Sequence, residues 1–269
     1  MSLPVPKELQ FPLVDRYMGL RMGADLATVR TGSPDVVESP RRLNKELSYG
    51  YVHALWWVRL ADGRTVVSVP PGAGDAVQEI VGEVASLDAL ADPELPDRLA
   101  PPVNEALEEA GLVPIDRTIH GLSFACNDRC VRRHHHGDCR PLSDESIPPA
   151  EGLSLPTHCF PDGIVYAVVV DGEAVSIAYA HQSHLMADRI ADVGIETAPS
   201  HRRRGYAKTM VSAVTAHVTG TGGEALYGTR PDNGASIATA RSVGYVPYAR
   251  KLILSTPGPD VDHLPPPQK

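Results

Sequence analysis

The chain lacks any long apolar run. No apolar stretch in its 269 residues approaches the length of ~18 residues that a membrane span requires. Its start, MSLPVPKELQFPLVDRYMGL, has no basic segment followed by a long apolar core, so no secretory signal is predicted. Four cysteines are too few for a dense disulfide framework in a chain of this length. We therefore expect a cytoplasmic protein in a reducing compartment, with no membrane partner.

The sequence also lacks an excess of positive charge. It contains 25 Lys and Arg against 33 Asp and Glu, a formal net charge of -8, whereas nucleic-acid binders usually present a basic face. A nucleic-acid partner is therefore not expected. Aromatic residues are scarce at 5%, but 42% hydrophobic and 22% charged residues are ordinary for a globular chain with a real core. The acidic balance suits a cationic partner such as an amine, and it also suits plain solubility.

Alternating β-rich runs and helical patterns indicate mixed α and β structure throughout. YVHALWWVRL and RTVVSVPPG flank Asp62-Gly63 and predict one hairpin, and two apolar runs around Asp171-Gly172 predict a second. Further predictions from the same patterns are, in chain order, an extended segment at 1–14, helices at 74–90 and 102–111, and a strand pair or an interdomain connection at 112–125.

The most informative stretch is Val193–Val218, in which a strand-like run leads through a basic turn into a helix with one apolar face. Unpaired N–H groups and a partial positive charge at a helix N-terminus favour an anion. Gly205 lets the backbone come close to a phosphate, and the arginines before it add charge-assisted donors. The stretch predicts a phosphate-binding turn, and a surface loop before an ordinary amphipathic helix is the alternative.

A second unusual stretch is rich in cysteine and histidine. Zinc needs about four such ligands, but paired C-x-x-C knuckles are absent here, so we predict no metal. The alternatives are a polar loop with buried thiols, a histidine that lines a substrate cleft, or a metal-stabilised interaction protein. The residues of this stretch are Cys126, Cys130, His134, His135, His136 and Cys139, with His158 and Cys159 further on.

From about 163 to 254 the order of elements resembles the GNAT superfamily of acyl-CoA-dependent N-acetyltransferases: hairpin, strand, basic turn, helix, strand, Asn-containing loop, short helix, strand. The turn pattern of that family, Arg or Gln, two residues, Gly, one residue, then Gly or Ala, stands here as Arg202 to Ala207. The family's second element, an Asn and a small polar residue followed by Gly and an aromatic, stands as Asn233, Ser236, Gly244 and Tyr245.

The resemblance implies an α+β fold in which the C-terminal domain has a central, splayed mixed sheet flanked by helices. It implies three parts: an accessory α+β domain at 1–125, a GNAT-like domain at 126–256 and a disordered Pro-rich tail at 257–269. The two Asp-Gly hairpins leave open that the accessory domain is a degenerate copy of the same fold.

The resemblance also implies an acetyl-CoA site. The pyrophosphate would bind the amides of Arg203 to Lys208, the pantetheine arm would pair with the preceding strand, and a backbone N–H near Thr197 would stabilise the oxyanion. Asn233 and Ser236 would lie on the other side of the arm. The predicted cofactor-binding residues are Ile195, Glu196, Thr197, Arg202, Arg203, Arg204, Gly205, Tyr206, Ala207, Lys208, Asn233 and Ser236.

An amine must lose a proton before it attacks the thioester, and in this family an acid on the strand before the turn often serves. Asp192 and Glu196 are the predicted catalytic residues and share strand parity. His181 and His184 are alternatives. The family's thiolate-protonating Tyr, seven residues after the Asn, is replaced by Ala240, so the acid is Tyr206, Tyr227 or Tyr245, or the thiolate leaves without one.

These implications predict an N-acetyltransferase that moves the acetyl group of acetyl-CoA to a primary amine by direct attack in a ternary complex. The predicted acceptor is a small cationic molecule such as an amino sugar or a polyamine. A protein lysine or N-terminal amine is the alternative acceptor, and a non-catalytic CoA-binding sensor or scaffold is the alternative function. The sequence does not predict the oligomeric state.

Overall fold

The computed structural model of the protein describes residues 9–29, 31, 34–44, 51–84, 90, 92–143, 146–156, 164–182, 185–186 and 189–258. His184 and the end of the predicted tail, 259–269, lie outside the described residues, as do His158 and Cys159. Within the described part, no helix is long and apolar enough to cross a membrane.

The chain forms two compact units that interleave along the sequence. One unit consists mainly of Met18–Gly121 and the chain from Ala249 onward, and the other consists of Leu122–Tyr248 and the described residues up to Tyr17. The sequence instead predicted one division between 125 and 126, and those domain boundaries stay a prediction.

The first unit contains a four-stranded mixed sheet with two helices. Its strands, in the order β1, β3, β2, β10, pair antiparallel except for the parallel pair β1 and β3. The predicted hairpin around Asp62-Gly63 is confirmed as β2 and β3. The elements are β1 (Asp35–Glu38), β2 (Tyr51–Leu60), β3 (Thr65–Val69), α2 (Gly74–Glu83), α3 (Leu95–Glu109) and the part of β10 (Val246–Pro257) from Ala249.

Helix α3 begins earlier than its sequence predicts. The sequence predicted a helix only from 102 onward, but α3 begins at Leu95, and Pro101 and Pro102 lie inside it. Each proline removes one backbone hydrogen bond. Buried side chains such as Leu95, Leu99 and Val103, all fully inaccessible to solvent, compensate because they repeat at helical spacing along one face.

The second unit is built on a six-stranded sheet in the order β4, β9, β8, β7, β6, β5. Its neighbouring strands pair antiparallel except for β8 and β9, which are parallel. The predicted hairpin around Asp171-Gly172 is confirmed as β6 and β7. The strands are the part of β4 (Arg117–Cys126) from Leu122, β5 (Asp138–Pro141), β6 (Ile164–Val170), β7 (Glu173–Gln182), β8 (Ile190–Thr197) and β9 (Glu224–Thr229).

Two helices position the predicted site in this unit. Helix α4 (Tyr206–Gly220) packs on β6, β7 and β8, and α5 (Gly234–Val243) packs against α4 and β9. Met210, Val211 and Val214 of α4 are fully buried in the core, as their spacing predicted. The predicted α+β class, with mixed sheets flanked by helices, is confirmed; that the first unit is a degenerate copy stays a prediction.

Residues 112–125 do not form a strand pair, because one long strand, β4, begins at Arg117. The alternative, an interdomain connection, agrees with the boundary between the two units, which falls between Gly121 and Leu122. The prediction for the start of the chain is wrong. The segment 1–14 was expected to be extended, but helix α1 (Pro12–Met22) begins inside it. Proline is well suited to the first helical position, where its missing N–H has no intrahelical partner to lose.

Candidate active site

The turn before α4 has the conformation that the phosphate-binding pattern requires. After a short 3-10 helix at Pro199–His201, Arg203 and Gly205 adopt positive φ angles of 61° and 85°. Gly205 is the N-cap of α4 and makes no side-chain capping hydrogen bond. The first N–H groups of the helix therefore have no partner within the helix or from its cap. The turn is exposed, so these donors point to a surface that an anion can reach.

Two of the three arginines of this turn also hold its backbone. The Arg202 Nε donates to the carbonyl oxygen of Thr197 at 3.2 Å, and an Arg204 terminal nitrogen donates to that of Ser200 at 3.3 Å. A guanidinium carries five N–H donors, so each side chain keeps donors for an anion. The sequence predicted the positive charge of this turn but not its role in fixing the turn.

Strands β8 and β9 separate directly in front of this turn. They pair only over Ile190–Asp192 and Glu224–Leu226, after which β9 continues beside β4. Within the described residues, β8 beyond Asp192 pairs with β7 alone. The predicted splay is therefore present, and the N-termini of α4 and α5 both lie beyond the diverging strand ends.

The two predicted acids lie on one face of β8. The β7–β8 register runs without a shift from Ser176 opposite Thr197 to Gln182 opposite Ala191, so Asp192 and Glu196 keep the same parity. Asp192 is exposed, whereas the half-buried Glu196 accepts a weak hydrogen bond from the Ser154 N–H at 3.4 Å.

The other two predicted residues of this strand have the opposite parity. Ile195 packs against the core that α4 covers, and the Thr197 hydroxyl lies 2.8 Å from the hydroxyl of Ser176. The side chain of the alternative base His181 lies outside the described residues.

The predicted residues of α5 make local contacts at its N-terminus. The Asn233 side-chain oxygen accepts the Ser236 N–H at 3.1 Å and so caps the helix. The Ser236 hydroxyl lies 2.8 Å from the Tyr227 hydroxyl. Asn233 is exposed and Ser236 is half-buried, so the end of α5 that faces the diverging strands remains accessible.

The three tyrosines named as acids differ in their surroundings. The Tyr245 ring is 2% exposed, its hydroxyl lies 2.8 Å from that of Thr215, and burial raises its pKa well above the usual value. The Tyr206 ring stacks against His136, with 5.5 Å between ring centroids. Burial raises the pKa of Tyr227, and the charge of Asp192 adds to the increase. The Tyr227 hydroxyl contacts Ser236, a predicted cofactor-binding residue.

The histidine-rich stretch, which contains His134 to His136, lies beside helix α4. Residues 133–139 and the outer face of α4 line an open cleft of about 500 Å³, and the Tyr166 hydroxyl lies 3.2 Å from His217 Nδ1 at its edge. The His134 backbone N–H donates to the Ser212 hydroxyl at 3.0 Å. Among the described residues, no three Cys, His, Asp or Glu side chains are placed to hold a metal ion. Sequence reasoning missed this contact, since no local pattern ties 133–139 to α4.

A known protein family matches this part of the chain. The model of the acetyltransferase (GNAT) family matches residues 133–245. A search of curated proteins finds no match.

Solved structures of low identity resemble the chain in part. A GNAT-family protein of Novosphingobium aromaticivorans is 21% identical, with a TM-score of 0.44 over 54% of this chain and 67% of that one. A GNAT-family acetyltransferase of Colwellia psychrerythraea is 14% identical, with a TM-score of 0.43 over 53% of this chain and 58% of that one. A GCN5-related N-acetyltransferase of Kribbella flavida is 20% identical, with a TM-score of 0.41 over 61% and 67%.

The chain thus spans 58% to 67% of the length of these three structures. The family match covers the diverging strands β8 and β9, the basic turn and helices α4 and α5. Residues 133–245 are therefore similar to the acetyltransferase (GNAT) family, whose model they match.

Proposed function

We propose that the protein is an N-acetyltransferase that binds acetyl-CoA at the divergence of β8 and β9 and transfers the acetyl group to a primary amine in a ternary complex. The observation that carries the proposal is the separation of these strands in front of the uncapped α4 N-terminus. The amide-rich pantetheine arm of the cofactor fits the open edge of β8, where it can pair with the backbone as a further strand would. The pyrophosphate fits the N-terminus of α4, which three arginines precede.

The residues present fit the phosphates of the cofactor. A Cβ added at Gly205 would have no neighbour closer than His136, at 3.6 Å, so the surface above this residue is open. The N–H groups of Gly205 to Lys208 then supply donors, and the side chains of Arg202 to Arg204 supply charge. Acetyl-CoA, when bound, supplies an activated thioester to this site.

The chain's own groups would then handle the protons. Glu196 and Asp192, on one face of β8, accept a proton from the ammonium of the acceptor, directly or through water. The Tyr227 hydroxyl, which contacts Ser236, returns a proton to the leaving thiolate. Two carboxylates at the site also favour a cationic acceptor, because opposite charges attract it to the cleft.

An amine panel tests the proposal. The full chain is incubated with acetyl-CoA and amino sugars, polyamines, lysine peptides or peptides with a free N-terminus, and release of the CoA thiol is followed. We expect transfer to at least one small polyamine or amino sugar. Transfer to peptides alone would refute the acceptor class, and binding of acetyl-CoA without any transfer would favour a non-catalytic module.

The base assignment has its own test. We expect Glu196→Gln or Asp192→Asn to lower kcat by about 10²- to 10⁴-fold, the usual contribution of a general base, with little change in acetyl-CoA affinity. Glu173→Gln, an exposed acid at the start of β7, is the matched control. Wild-type rates in both site variants across pH would remove these acids from the mechanism.

One observation favours a second candidate, a CoA-binding module without turnover. Ala240 occupies the position of the family's acid and is fully buried in the core, so α5 offers no hydroxyl there. The same amine panel separates the candidates, because a sensor binds acetyl-CoA but releases no thiol.

A further inference from the structure

Two cysteines outside the proposed site lie in direct contact. Cys126 ends β4 and is fully buried, and Cys130 is half-buried at the end of the turn that follows. Their Sγ atoms are 3.2 Å apart. A disulfide needs a separation of about 2.05 Å, so the two sulfurs must approach each other by only about 1 Å to form the bond.

The surroundings make the two thiols unequal. The hydrogen bond with Cys126 lowers the pKa of Cys130 to about 7, and the Asn127 N–H, 3.1 Å from its sulfur, contributes. The same hydrogen bond, together with burial, raises the pKa of Cys126. Because the thiolate is the nucleophile of disulfide exchange, Cys130 is the attacking group and Cys126 the resolving one.

The backbone of the turn is held in place, so the pair stays together. The Arg132 N–H donates to the Val243 carbonyl oxygen at 2.7 Å, and the Cys130 carbonyl lies directly against Gly244. The turn is thereby fixed on the C-terminal end of α5. The two sulfurs are thereby kept close to each other.

We propose that Cys126 and Cys130 are a redox-active dithiol pair that low-molecular-weight disulfides oxidise reversibly. The Cys130 thiolate attacks one sulfur of such a disulfide, which releases one small thiol and leaves a mixed disulfide on Cys130. The Cys126 sulfur loses its proton, attacks Cys130 Sγ and expels the second small thiol. Two protein thiols and one disulfide thus become one protein disulfide and two small thiols.

The experiment uses the full chain with Cys159→Ser, so that Cys139 remains as the comparison thiol. Burial raises the pKa of Cys139, and it lies outside the pair. The protein is exposed to glutathione disulfide, alkylated, digested with trypsin and analysed by mass spectrometry. Trypsin cuts after Arg129, between the two cysteines, so a disulfide would join peptides 118–129 and 130–132.

We expect the joined peptides, lighter by two hydrogen atoms than their sum, and their separation by dithiothreitol. In Cys126→Ser, the new hydroxyl can still donate a hydrogen bond to the Cys130 sulfur. Glutathione should therefore remain on Cys130 and should attach about tenfold faster than to Cys139, because the larger thiolate fraction outweighs the lower nucleophilicity. In Cys130→Ser, Cys126 should remain a free thiol.

Separately alkylated peptides after exposure to glutathione disulfide would overturn the proposal. So would attachment of glutathione to Cys130 no faster than to Cys139. If Cys126→Ser fails to fold, the comparison of the parent chain with Cys130→Ser still tests the proposal. The parent chain should yield the joined peptides, and Cys130→Ser should not.

Discussion

Replacing Gly205 by glutamate should abolish tight binding of acetyl-CoA. The new carboxylate would stand at the N-cap of α4, where the pyrophosphate is proposed to bind. At a separation of ~6 Å, each phosphate charge would be repelled by about 1–3 kcal/mol, for an effective dielectric constant between those of water and a protein surface. Since 1.4 kcal/mol is tenfold in affinity, we expect the dissociation constant to rise at least about tenfold.

Backbone strain must be separated from charge in this test. Any side chain at a φ of +85° costs about 1–2 kcal/mol of stability. Gly222→Glu is the matched control, because Gly222 is exposed, has a φ of +79° and follows the opposite end of α4. Isothermal titration with acetyl-CoA measures both affinities, after thermal unfolding has checked that both variants fold. If the two variants bind acetyl-CoA with affinities within about twofold of each other, the phosphate assignment is refuted. A twofold difference corresponds to ~0.4 kcal/mol, which is less than the expected repulsion.

Three further predictions concern stability and turnover. Gly244→Ala should lower the free energy of unfolding, measured in denaturant, by about 3 kcal/mol, because a Cβ at φ +104° would overlap the Cys130 carbonyl oxygen. Gly234→Ala should not lower it, because a Cβ at Gly234 would have no neighbour within 4 Å. Burial raises the pKa of Glu224. The stability of the wild type relative to Glu224→Gln should therefore fall as the pH rises from below the ordinary carboxyl pKa through the raised pKa. A stability difference that does not change with pH would contradict this. Tyr227→Phe should lower kcat about tenfold with unchanged acetyl-CoA affinity, and an unchanged kcat would exclude it as the acid.

Local patterns were enough to predict much of the second unit. The apolar spacing of α4, the glycine before it and the Asp-Gly hairpin are short-range features, and each is present where the sequence indicates. Strand parity likewise predicted that Asp192 and Glu196 share a face, because the register of β7 and β8 has no bulge.

Long-range contacts could not be predicted in this way. The Val14 N–H donates to the Glu224 carboxylate at 2.9 Å across 210 residues of sequence, a contact within the second unit. The position of the histidine-rich stretch beside α4 is equally non-local. In α3, the rule that proline ends a helix failed because burial of a continuous apolar face outweighed two lost hydrogen bonds.

A crystal structure of the full chain with CoA tests the central claim most directly. We predict the pyrophosphate within hydrogen-bonding distance of the N–H groups of Gly205 to Lys208, with the pantetheine arm along β8 beyond Asp192. CoA bound only in the cleft lined by residues 133–139, or β8 left uncontacted by the arm, would contradict the account.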